Sequence, residues 1–174
     1  AAGAALSAHP GIDFISFTGS PEVGTLVQAA AARNHVGCTL ELGGKSPQIV
    51  FADADLDAAL PVLVNAIVQN AGQTCSAGAR VLVERSFYET FVARLAERFS
   101  TLRAGSQEMD LDLGPVINPS QKARVERYCR QAEADGIALI AEGKVADGVA
   151  EDGFFVAPRM YGPVPREHAL AHEE

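Results

Sequence analysis

The stretch Phe14-Ile15-Ser16-Phe17-Thr18-Gly19-Ser20-Pro21-Glu22-Val23-Gly24 gives the first clear sign of the fold class. Its opening residues are rich in aromatic and β-branched side chains, and a Gly-Ser-Pro turn follows at once. Beyond the turn, Val23, Leu26, Val27 and Ala30 recur at helical spacing. The expected order is strand, tight turn, helix. Ser20 is the natural N-cap, Pro21 takes the first helical position where its missing N–H does no harm, and Glu22 is an acid in the first turn. The helix should close near Asn34.

Working outward, the alternation repeats. A short strand over 36–42 leads into Gly43 and Gly44, and another over 48–51 ends in an acidic turn at Asp53 and Asp55. Asp55 can cap a long helix carrying Leu56, Leu60, Leu63, Ile67 and Val68, which Pro61 should kink or delay and which must finish by Gly72. A strand over 80–84 follows, then a helix in which Phe87, Phe91, Leu95 and Phe99 recur every four residues, then a helix over 119–134. The reading adds a strand over 137–141 and a hairpin or surface loop over the glycine-rich, acidic 143–153. Such alternation predicts the α/β class, a parallel sheet with flanking helices.

The 174 residues are 48% hydrophobic, 21% charged and 6% aromatic, the composition of a globular domain rather than a disordered or collagen-like chain. Lys and Arg number 14 against 22 Asp and Glu, a net charge of −8 with no dense basic run, so nucleic acid and anionic membrane are poor partners. No stretch reaches the about 18 consecutive apolar residues of a spanning helix. Residues 1–10 lack an initiator Met and any basic residue before the apolar part, so they read as an internal cut rather than a signal peptide. Three cysteines, Cys38, Cys75 and Cys129, are an odd number without a CxxC pair, which favours reduced thiols and a cytoplasmic location.

Three places could carry chemistry. The Gly19-Ser20 turn at a helix N-terminus would attract an anion, although it has neither GxGxxG spacing nor the Lys-Ser/Thr of a P-loop, and a plain capped helix explains it equally. Glu41 stands at a strand end, where α/β sheets keep their sites, and desolvation there would raise its pKa toward that of a general base; the alternative is an ordinary acid paired with Lys45. Cys75 lies in Gly72-Gln73-Thr74-Cys75-Ser76-Ala77-Gly78, where small residues allow close approach of a ligand; the alternative is a buried structural thiol, the reading applied to Cys38 and Cys129.

Taken together, Phe17-Thr18-Gly19-Ser20 with Val23-Gly24, Glu41-Leu42-Gly43-Gly44-Lys45-Ser46-Pro47, Asn70 with Gly72-Gln73-Thr74-Cys75, Arg80, Leu113-Gly114-Pro115-Val116 and Glu173-Glu174 resemble the NAD(P)-dependent aldehyde dehydrogenase superfamily over nearly the whole chain. The resemblance implies a covalent mechanism in which Cys75 is the nucleophile and Glu41 activates the water that hydrolyses a thioester, with the Cys75 backbone N–H as part of an oxyanion hole. It implies cofactor contacts at Gly19, Ser20, Leu42, Gly43 and Glu174, with NAD, or NADP, as cofactor and no metal. Lys45 and Arg80 are expected to hold the local fold.

Relatives in that family are far longer, so the chain reads as a fragment. Residues 1–42 are expected to be the C-terminal part of a Rossmann-like cofactor domain, and 43–174 the N-terminal part of the catalytic domain. The implied partner is a small aldehyde, and the implied parent a homodimer or homotetramer. Two rival classes stay open. One is a cysteine hydrolase or acyltransferase pairing Cys75 with His9, His35, His168 or His172; the other is a non-catalytic binding protein on the same fold.

Overall fold

The computed structural model describes residues 2–174, which divide into two compact units, one running as far as Gly43 and the other Gly44–Glu174.

In the first unit a short helix α1 (Ala2–Ser7) precedes β1 (Phe14–Gly19), α2 (Pro21–Arg33) and β2 (Gly37–Leu42). The α2 start is the expected one: Ser20 is extended, its hydroxyl accepts from the Val23 N–H at 3.4 Å, and Pro21 opens the helix. Asn34 caps the far end. The strands run parallel, with Phe14 opposite Gly37 and Gly19 opposite Leu42. The helix buries a different stripe from the one its large apolar residues suggest. Gly24 and Ala31 are buried, whereas Leu26 is 70% exposed. Close approach explains the choice, because a methyl group on Gly24 would lie 2.6 Å from the Leu42 side chain.

The second unit contains β3 (Pro47–Val50), α3 (Leu56–Val68), β4 (Arg80–Val83), α4 (Tyr88–Ser100), β5 (Arg103–Ala104), α5 (Pro119–Ala134), β6 (Leu139–Glu142), β7 (Lys144–Val145) and β8 (Arg159–Tyr161). Asp55 caps α3 by accepting from the Asp57 and Ala58 N–H groups at 3.0 and 3.3 Å. Pro61 does not delay this helix: it is the sixth residue, where it removes one backbone donor, while Leu60, Val64 and Val68 hold their face in the core. In α4 the buried residues are Phe91, Leu95 and Phe99, and Phe87 stands at its N-cap, immediately before the helix. Each such side chain contributes about 1.5–3 kcal/mol by leaving water.

The core lies where α3 and α4 pack on one face of the parallel pair β3–β4. On the other face Ile49 and Leu82, opposite each other in register, are 65% and 50% exposed. The sheet expectation needs correction in detail. The described strands form four two-stranded sheets, three parallel and one antiparallel, β6 with β8. The segment expected as a hairpin or loop instead begins with β7, which pairs parallel with β5. The strand expected over 137–141 is β6, which starts two residues later and ends one later because pairing with β8 sets its bounds.

Candidate active site

Parallel pairing in the first unit brings the expected cofactor and base positions to one end of the sheet. Thr18 faces Glu41 and Gly19 faces Leu42, so Gly19, Ser20, Glu41, Leu42 and Gly43 gather at the carboxyl ends of β1 and β2. That end is where open α/β sheets hold ligands. Leu42 turns its side chain onto Gly24 of α2. A methyl group on Gly19 would meet the tip of the Phe17 ring at 2.5 Å, so the ring would have to swing aside. Glu41 is exposed, so the residues of this unit do not supply the desolvation expected from its place at a strand end.

In the second unit Cys75 is exposed, whereas Cys129 is buried. Cys75 stands in the turn between α3 and β4, and the turn is pinned on both sides. Upstream, Asn70, Ala71 and Gly72 are all left-handed, with φ of 51°, 54° and 77°. Gln73 locks that turn: its Nε2 donates to the Asn70 carbonyl at 3.0 Å, and its Oε1 accepts from the Ile117 N–H at 2.9 Å. Asn70 Nδ2 answers by donating to the Gln73 carbonyl at 3.1 Å. Downstream, the Ala77 N–H donates to the Thr74 carbonyl, and Gln48 Nε2 donates to the carbonyls of Gly78 and Leu63 at 2.8 and 3.1 Å. Ser46 Oγ reaches the Cys75 carbonyl at 3.5 Å. A cavity of about 380 Å³ beside the turn is lined by Asn70, Gln73, Pro115 and Ile117.

Glu173 and Glu174 lie close enough to Lys45 to pull its pKa upward, against burial and Arg80, which together hold it below the ordinary lysine value. Arg80 donates to the Ala171 carbonyl at 3.3 Å, and Arg124 to the Glu174 carbonyl at 3.0 Å. Arg80 thus ties the start of β4 to the turn before Glu174, a structural role. Arg124 and Gln73 were missed in sequence reasoning, which had no signal for partners 50 and 44 residues away. Two of the four histidines considered as partners of the thiol are engaged within this unit, His168 with Asp135 and the Leu170 N–H, His172 with the Arg166 carbonyl. Cys129 is buried, and Cys38 is half-buried on β2. No group of three or more His, Cys, Asp or Glu that could hold a metal ion occurs among the described residues. Nor is any described helix long and apolar enough to cross a membrane.

The fold is of the α/β class, and comparison places the chain further. The sequence profile described as "Aldehyde dehydrogenase family" matches residues 1–174, and the chain belongs to that family. Retinal dehydrogenase 2 of Mus musculus is 44% identical over 175 residues, covering 99% of this chain and 33% of that protein. Among solved structures, a Burkholderia cenocepacia protein described as an aldehyde dehydrogenase is 62% identical with a TM-score of 0.95, over 98% of this chain and 36% of its own. Betaine aldehyde dehydrogenase of Staphylococcus aureus, solved in complex with NAD+, is 34% identical with a TM-score of 0.89, over 97% of this chain and 34% of its own. The chain therefore spans about a third of the length of the relatives it matches.

Proposed function

We propose that this chain carries the nucleophile and the general base of an enzyme that oxidises a small aldehyde to a carboxylic acid with a nicotinamide dinucleotide. The observation that carries the reading is the exposed Cys75 on its braced turn, in a chain that an aldehyde dehydrogenase profile matches from end to end.

On this reading the Cys75 thiolate attacks the aldehyde carbonyl and forms a thiohemiacetal, and its backbone N–H helps to stabilise the oxyanion. The bound dinucleotide supplies a hydride acceptor. Departure of the thiohemiacetal's hydrogen as hydride to that acceptor would leave the acyl group on Cys75 as a thioester. Glu41 removes a proton from water, the resulting hydroxide attacks the thioester, and the Cys75 thiolate leaves as the acid forms. Sulfur suits both tasks, attacking well and departing well.

The first unit fits a dinucleotide. Its Gly19-Ser20 turn presents bare backbone and a hydroxyl at the N-terminus of the 13-residue α2, whose dipole favours a pyrophosphate. Leu42 and Gly43 would lie beside the nicotinamide, and Glu174 would serve its ribose. NAD is preferred to NADP as the commoner cofactor of the family, and the Staphylococcus aureus relative was solved with NAD+. On this reading residues 1–42 are the end of a cofactor domain and 43–174 the beginning of a catalytic domain. Three free thiols suit a reducing cytoplasm, and the full-length enzyme is expected to be a homodimer or homotetramer.

The test is reduced-nicotinamide formation by the full-length enzyme with a panel of simple aldehydes, beside Cys75→Ala and Glu41→Gln. Cys75→Ala should abolish turnover, and Glu41→Gln should slow acid release after a normal burst of reduced nicotinamide. Undiminished turnover in Cys75→Ala would overturn the assignment. The 174 residues alone, supplying only part of the cofactor site on this reading, should show no turnover.

A further inference from the structure

We infer that Gln73 is the positioning residue that aims Cys75, an inference that rests on the nucleophilic role proposed for the thiol. The left-handed run Asn70, Ala71, Gly72 is not a conformation the chain takes unaided, because each non-glycine residue there costs about 1–2 kcal/mol. Asn tolerates it through its short polar side chain, Gly has no Cβ, and Ala71 has neither advantage. Something must hold the turn against return to right-handed geometry, and the observed clamp is the Gln73 amide. Its NH2 closes the loop onto the Asn70 carbonyl at 3.0 Å, where the Gln73 backbone N–H also donates at 3.1 Å. Its carbonyl oxygen takes the Ile117 N–H at 2.9 Å, anchoring the turn to a segment 44 residues away. Both functions of one planar amide are thus engaged in opposite directions.

Cys75 is two residues beyond the clamp. Unlocking the turn would rotate the chain upstream of the thiol while Gln48 still held Gly78 downstream, so the thiol would swing rather than the fold unravel. A displacement of about 1 Å at a reacting atom costs on the order of 100-fold in rate. Gln73 would therefore govern the chemical step and leave cofactor affinity alone.

The experiment uses the full-length enzyme with Gln73→Met, which keeps the shape and loses both bonds, and Gln73→Glu, which can still accept from the Ile117 N–H but cannot donate to Asn70. Rates are normalised to Cys75 thiol counted by alkylation and mass spectrometry in the folded fraction isolated by size-exclusion chromatography, so that a loss of folded protein does not register. The rate of thioester formation should fall about 100-fold in Gln73→Met and less in Gln73→Glu, with the Kd of the cofactor within twofold of the parent's. An unchanged rate per thiol in either variant, or an equal loss in rate and cofactor binding, would overturn the inference. If Gln73→Met fails to fold, Gln73→Glu decides by the same criteria. Cys75→Ala run alongside separates the two claims: persistent turnover there removes the nucleophile assignment, whereas an inactive Cys75→Ala beside a fully active Gln73→Met removes only the role of Gln73.

Discussion

His168 and Asp135 are joined through a tautomer that the surroundings dictate. The Leu170 N–H donates to His168 Nδ1 at 3.1 Å, so Nδ1 is the acceptor, and Nε2 carries the hydrogen it shares with Asp135 Oδ2 at 3.1 Å. The pair fastens the end of α5 to the turn that precedes Glu173 and Glu174.

An acid-stability prediction follows from Asp135. The Gln131 amide, and after it His168, hold its carboxyl below the usual carboxylate range. A lowered folded pKa contributes stability above the unfolded value and loses it as pH falls through the folded one. Asp135→Asn should flatten the decline of Tm between about pH 5 and pH 2, where the unmodified protein loses this contribution. Superimposable Tm profiles would show that the contact does not stabilise the fold.

Lys45 should act in the same direction, but in the alkaline range below the ordinary lysine value. Burial and Arg80 lower its pKa, so below the ordinary lysine value the folded chain binds fewer protons than the unfolded one, and stability rises with pH across that window. Replacing Glu174 by Gln should lower the Lys45 pKa further, and Arg80→Met should raise it. An NMR titration of the Lys45 side chain reads both shifts.

Gly143 marks a place where two segments come too close for any side chain. A methyl group there would sit 2.5 Å from the Leu102 carbonyl and 2.7 Å from the Pro158 ring. Its own N–H donates to the Pro158 carbonyl, and the Lys144 N–H to that of Leu102. Gly143→Ala should cost about 1–3 kcal/mol, measured as a shift of the urea midpoint at unchanged slope.

Ala71 offers a test of the left-handed turn by stability alone. Ala71→Gly should be neutral or stabilising by up to about 1 kcal/mol, since relief of the left-handed conformation outweighs the added freedom of the unfolded chain. Ala71→Val, β-branched at a φ of 54°, should destabilise, and the two midpoints should move apart.

Much of this architecture was legible in the sequence because it rests on local chemistry. Ser20 with Pro21 and Asp55 with Leu56 each announce a helix start, and each is used. What escaped depends on distant partners. Strands β5 and β7 have two residues each, too few for any period, and are strands only because they meet. The buried stripe of α2 follows from contact with Leu42, which favours Gly24 over the larger Leu26. Within the candidate site, Glu41 and Cys75 stood out by motif, but the clamp of Gln73 on Ile117 lies beyond any local pattern, and no propensity places Ala71 in left-handed geometry.

The pairing of strands in twos bears on how the 174 residues behave in solution. Apart from β5, which also bridges to Leu113, every strand among the described residues has a neighbour on one side only, and the exposed Ile49 and Leu82 add an apolar face to one of these ribbons. Unsatisfied strand edges invite pairing with another copy. Opposing this is the net charge of −8, whose mutual repulsion reaches only about 10 Å at 0.1 M salt. The chain by itself should therefore be a charge-stabilised colloid: dispersed in dilute buffer, and scattering more light as added salt lets the open edges of neighbouring molecules meet.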